Sequence, residues 1–119
     1  MNKNTRDLGI FGEKIAAEYL RKLCYKVIRS NYRCRFGEID LIVYKNNTYV
    51  FVEVKTRRNT SFGRPVEAIN RNKKTHLLRV GQYYIQNLNL KDCNFRFDAI
   101  EVMIDPLKPP KVNHIENIM

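Results

Sequence analysis

Three ionisable residues stand inside two apolar runs. GEIDLIVYKNNTYVFVEVK, residues 37–55, carries Asp40 in its first run and Glu53 and Lys55 in its second. Ionised groups are rarely buried unless they are paired or hold a metal. An Asp followed by Glu-x-Lys can hold a hard cation on its carboxylates and set an ammonium beside it. Mg²⁺, with Mn²⁺ as its substitute, fits such a set, because Mg²⁺ uses one or two carboxylates, keeps several waters and takes phosphate oxygens directly. Phosphodiester hydrolysis is the chemistry these groups would serve. Lys55 would then approach the attacking water or the scissile phosphate and stabilise developing negative charge.

A hairpin is what brings the two acids together. Asn46-Asn47 suits a two-residue turn, since asparagine tolerates positive φ. Counting back from that turn pairs Lys45 with Thr48, Tyr44 with Tyr49 and Asp40 with Glu53, and sets Glu38 opposite Lys55. Directly opposed residues have Cβ atoms about 4.5 to 5.5 Å apart, and two carboxylates that close repel unless one is protonated or a cation lies between them. The alternate positions Ile39, Leu41, Val43, Val50, Val52 and Val54 form an apolar face. The competing structural reading is a salt-bridged acid pair on an open sheet edge.

Around this hairpin the periodicity predicts a helix over residues 5–23, with Thr5 as N-cap and Leu8, Phe11, Ile15, Ala16, Tyr19 and Leu23 on its buried stripe. Gly9 and Gly12 on or near that stripe suggest close approach to a sheet. Glu13 flanks the stripe and can reach the acidic centre from one side; its alternative is a solvated helix carboxylate. A second helix is expected over roughly 71–88, capped by Asn70, with Leu77, Val80, Gly81, Tyr84 and Leu88 inward. Lys73 sits one turn before Leu77, where it either snorkels or meets a phosphate near the helix N-terminus. Short strands are expected at 25–29, 95–104 and 112–118, with loops over 30–36 and 58–70. The order αβββαβ plus a last strand makes an α/β domain, a mixed central sheet flanked by helices. With no linker or repeat, residues 1–119 are expected to form a single domain.

Charge extends the functional reading. Lys and Arg number 22 against 12 acids, a net charge of +10, which attracts phosphates. The basic residues surround the acidic motif: Arg33 and Arg35 before it, Arg57, Arg58, Arg64, Arg71, Lys73 and Lys74 after it. Nucleic acid is therefore the expected partner. No apolar run reaches the ~18 to 20 residues of a membrane span, and no apolar segment follows the N-terminal charges as in a secretion signal. Cys24, Cys34 and Cys93 are scattered, at no metal-ligand spacing from His76 or His114. A cytoplasmic protein with reduced thiols is expected.

Asp, a strand pair and Glu-x-Lys on an αβββαβ core resemble the PD-(D/E)xK nuclease superfamily. More closely, the chain resembles the YraN-like family of small bacterial predicted endonucleases, through GEKIAAEYL (12–20), NYRCRFGEIDLI (31–42), VFVEVKTRR (50–58), FGRPVEAI (62–69), Lys73 and RFDAI (96–100). The resemblance implies a restriction-endonuclease-like fold and Mg²⁺-dependent hydrolysis of DNA. Asp40 and Glu53 would bind metal, Lys55 would act in catalysis, and Glu13 would match the helical acid of resolvase-like members. It also implies kinship with junction resolvases, to which a flat basic domain working as a homodimer on branched DNA would be suited. Ile39 stands in place of the motif proline, and Cys24 and Gly81 replace an expected glycine and alanine at packing positions.

Two other functions compete with a nuclease. One is a non-catalytic nucleic-acid-binding module, which would gain little from acids facing phosphate. The other is an adaptor for a DNA-processing machine, whose C-terminal VNHIENIM would add to another chain's sheet edge.

Overall fold

The computed structural model describes residues 5–58 and 71–119. In chain order these form α1 (Thr5–Lys22), β1 (Lys26–Cys34), β2 (Gly37–Lys45), β3 (Thr48–Arg57), α2 (Arg71–Asn87), β4 (Asn94–Asp105) and β5 (Lys108–Ile115). The strands make one sheet in the order β1-β2-β3-β4-β5. Only β3 and β4 run parallel; the other neighbours are antiparallel. A parallel pair requires a long crossover, and α2 lies within it. The result is the expected mixed sheet flanked by two helices.

Alternation along the strands supplies each helix with its own apolar face. Ala16, Ala17 and Leu20 of α1 pack with Leu41, Val43, Val50 and Val52. Leu77, Val80 and Tyr84 of α2 pack with Ile42, Phe51 and Phe97. Fully burying one such aliphatic or aromatic side chain contributes about 1.5 to 3 kcal/mol, so both faces hold the sheet. Gly12 is a true close approach, since a Cβ there would overlap the Thr56 side chain on β3; Gly9 has open space beside it and needs no such explanation.

Two strands differ from expectation. β1 continues through Cys34, over residues expected to be loop. It is an edge strand whose ladder to β2 shifts between Val27 and Arg29, and Asn31 takes φ 54°, so no clean polar-apolar alternation marks it. β5 begins at Lys108 rather than Val112 and contains Pro109 and Pro110. Prolines are tolerated on edge strands and at bulges; these two lie where the β4–β5 register shifts between Met103 and Asp105. Residues 112–115 of VNHIENIM thereby already pair with β4. Asn70, Arg64 and the 59–70 segment lie outside the described residues.

The α1 side of the sheet also buries a charge. Asp98 is fully buried and accepts hydrogen bonds from Arg96 Nε and Nη2, each 2.8 Å long, and from the Asn117 N–H at 3.0 Å. His114 Nε2 lies 2.8 Å from Asp98 Oδ2, and His114 Nδ1 lies 3.2 Å from Tyr19 Oη. Burial raises the Asp98 pKa, but hydrogen bonds from His114, Arg96 and Asn117 outweigh it and hold the carboxyl below its ordinary range. This network ties β5, the C-terminal tail and α1 to β4, which gives Arg96 and Asp98 of the RFDAI stretch a structural role.

Candidate active site

The β2–β3 turn is the one the asparagines dictate. Asn46 and Asn47 both take positive φ, 50° and 57°, the conformation of a type I′ hairpin turn. Pairing runs from Lys45/Thr48 to Leu41/Val52 in the expected register, and stops there. One step further, where Asp40 would face Glu53, a side chain takes over from the ladder. Asp40 Oδ2 accepts the Val54 N–H at 2.8 Å. The parting of the strands also redirects Ile39, which packs on the α2 side with Ile42 rather than beside Leu41 and Val43.

The acidic pair therefore lies where β2 and β3 separate, and both acids are buried. Asp40 retains 8 % of its surface and Glu53 7 %. Burial raises the Asp40 pKa, opposed by the Val54 N–H and a hydrogen bond with Glu53. Glu53 is pushed up to about 7, first by burial and next by the Asp40 charge, against the pull of Lys73 and Lys55. The two carboxyls therefore titrate together, the charge on Asp40 making Glu53 harder to ionise while Lys73 opposes that rise.

Each helix adds one charge that acts on the acidic pair. Glu13 of α1 is half-buried; burial and the Asp40 charge raise its pKa, while a hydrogen bond with Asn31 lowers it. Lys73 of α2 places Nζ 3.3 Å from Glu53 Oε1 and its charge also acts on Asp40. Lys55 is exposed, two residues beyond Glu53 on the same strand, and its charge acts on Glu53. The donors meeting here are carboxylate oxygens, which suit a hard divalent cation that completes its shell with water and phosphate. Among the described residues no group of three or more His, Cys, Asp or Glu side chains is arranged to hold an ion. The arrangement is a carboxylate pair with Glu13 beside it, not a closed cage.

The arginines separate into different environments. Arg57 is turned inward: its Nε lies 3.0 Å from Oε2 of the buried Glu101 on β4. Arg33 forms an exposed ion pair with Glu38, Nε to Oε2 2.9 Å. Arg35 stacks its guanidinium 4.9 Å from the Phe36 ring centre at the β1–β2 turn. Arg58 is exposed at the end of β3, and Arg64 lies outside the described residues. Sequence reasoning missed Asn31 and Glu101. Glu101 did carry a signal, an acid inside the apolar run FDAIEVMI, of the same kind that singled out Asp40.

The five-stranded mixed sheet flanked by two helices makes this an α/β domain with the αβββαβ core, and the carboxylate pair and lysine lie where β2 and β3 part. The chain is a member of the Uncharacterised protein family UPF0102, the YraN-like group, whose profile matches residues 12–102. It is 48 % identical over 102 residues to a UPF0102 protein of Caldicellulosiruptor saccharolyticus, covering 86 % of each chain. It is 47 % identical over 116 residues to a UPF0102 protein of Caldanaerobacter subterraneus, covering 96 % of this chain and 95 % of the relative. With one from Alkaliphilus metalliredigens it shares 46 % over 113 residues, 95 % of this chain and 97 % of the relative. Among the described residues no helix is long and apolar enough to cross a membrane.

Proposed function

We propose that this chain is a divalent-metal-dependent nuclease that hydrolyses DNA phosphodiester bonds. The observation that carries the reading is the burial of Asp40 and Glu53 together, with Lys55 exposed just beyond them. Two acids buried together cost stability, and a fold seldom keeps such a pair without a use for it. Mg²⁺ or Mn²⁺ held by Asp40 and Glu53 would supply Lewis acidity to the phosphate. Glu13, on whose carboxyl the Asp40 charge acts, would add to the negative field around the ion. Lys55 would orient the attacking water or steady the charge growing on the scissile phosphate. Arg35 and Arg58, with Arg33, would hold flanking phosphates, and two copies of so small a domain would suit a branched duplex. Arg57 is committed to Glu101 and serves the fold.

A non-catalytic nucleic-acid-binding module is the second reading, favoured by one observation: Lys73 already neutralises Glu53. The deciding experiment is a cleavage assay with purified protein on branched, single-stranded and duplex DNA, in Mg²⁺ and in Mn²⁺. Cleavage lost in the Asp40→Asn and Lys55→Ala variants supports the nuclease. Binding without cleavage of any substrate in either metal supports the module.

A further inference from the structure

We propose that Lys73 is a built-in counter-ion for the acidic pair. It holds Glu53 while no divalent cation is bound, gives Glu53 up to the cation, and then turns to the substrate phosphate. The inference rests on the metal-site reading above.

Three observations support it. The Lys73 ammonium lies 3.3 Å from Glu53 Oε1 and its charge acts on Asp40 as well, so it already serves the acidic pair as a counter-ion. Its side chain is 42 % exposed, against 9 % for Glu53, so it can swing into solvent while Glu53 stays in place. Lys73 also sits in the first turn of α2, a turn that carries no acid. The positive end of the helix dipole disfavours an ammonium there. Glu53 offsets that cost in the unloaded protein. A phosphate would do so in the loaded complex, since the same helix end attracts anions. An ammonium and a divalent cation cannot share Glu53 without repulsion, so metal entry and Lys73 release are one exchange.

The test is Mn²⁺ binding to the full chain, followed by electron paramagnetic resonance, with no substrate and no turnover. Lys73→Met removes the charge and keeps much of the stem. It should bind Mn²⁺ about tenfold more tightly than the parent, the equivalent of ~1.4 kcal/mol. Lys73→Arg keeps the charge and should stay within about threefold of the parent. Adding Asp40→Asn should abolish Mn²⁺ binding in every background. A merely structural lysine would weaken binding when lost. Equal or weaker Mn²⁺ binding by Lys73→Met therefore overturns the exchange and leaves the metal site standing. If the parent itself binds no Mn²⁺, both readings fall. Should Lys73→Met fail to fold, the parent decides. The Lys73 side-chain NMR signal should shift on saturation with Mg²⁺, and an unmoved signal overturns the proposal.

Discussion

Replacing Asp40 by Asn should stabilise the metal-free protein at pH 8 and destabilise it, relative to the parent, once Mg²⁺ is present. The rise of Glu53 from 4.5 to about 7 corresponds to about 3 kcal/mol against ionising it in the fold. Burial is the larger cause and the Asp40 charge the second, so removing that charge should return the smaller share, about 1 kcal/mol. Asparagine keeps an oxygen to accept the Val54 N–H, so the 2.8 Å hydrogen bond need not be lost. For a chain of 119 residues the gain is a rise of about 4 °C in melting temperature. The sign depends on pH. Between 4.5 and about 7 the folded parent keeps a proton on Glu53 that the unfolded chain has released. That stabilisation is full below the unfolded value and is lost as pH rises through the folded one. At pH 5 the proton already relieves the repulsion and the variant should gain nothing. With Mg²⁺ a hundredfold above Kd, the parent alone should gain about 2.7 kcal/mol, or about 10 °C. The assay is a set of thermal melts of both proteins, in EDTA and in Mg²⁺, at pH 5 and pH 8 and fixed ionic strength. An Asp40→Asn protein clearly less stable than the parent in EDTA at pH 8, together with a parent that responds to neither Mg²⁺ nor Mn²⁺, would refute the metal-site argument.

Lys55→Ala should lower cleavage by at least about a hundredfold while melting temperature and Mn²⁺ binding stay put, because Lys55 is exposed and contributes no ligand; normal cleavage removes its assigned role. Arg58→Ala should reduce the slope of log affinity against log salt by about 0.9 if Arg58 meets one duplex phosphate, and an unchanged slope takes it out of the interface. Arg57→Ala should instead cost about 1 to 3 kcal/mol in a denaturant titration, because it strips the buried Glu101 of its ion pair, and Glu101→Gln in the same chain should recover part of the loss. Asp98→Asn should cost about 3 kcal/mol by breaking the two-pronged Arg96 contact. The parent's contribution from Asp98, present above its unfolded value of 3.8 and lost as pH falls through the lower folded one, should be missing from the variant's acid unfolding curve.

What sequence alone determined is what local chemistry dictates. Asn46 and Asn47 set the turn, the turn sets the register, and the register brings Asp40 and Glu53 together. The helices follow from apolar residues recurring at three and four, and α1 and α2 fall within a residue or so of their expected limits. Periodicity assigns a residue to a face; it cannot say which neighbour waits on that face. Tertiary packing alone decided that β2 and β3 part at Asp40, that Ile39 turns to α2, and that Lys73 meets Glu53 across the crossover. It likewise drew Arg57 inward to Glu101, and joined Tyr19, 95 positions away in sequence, to His114 and so to Asp98. The physical reason is common to all of these. A buried charge takes whichever counter-charge the packed helices and strands bring within reach, and that choice exists only once the chain has folded.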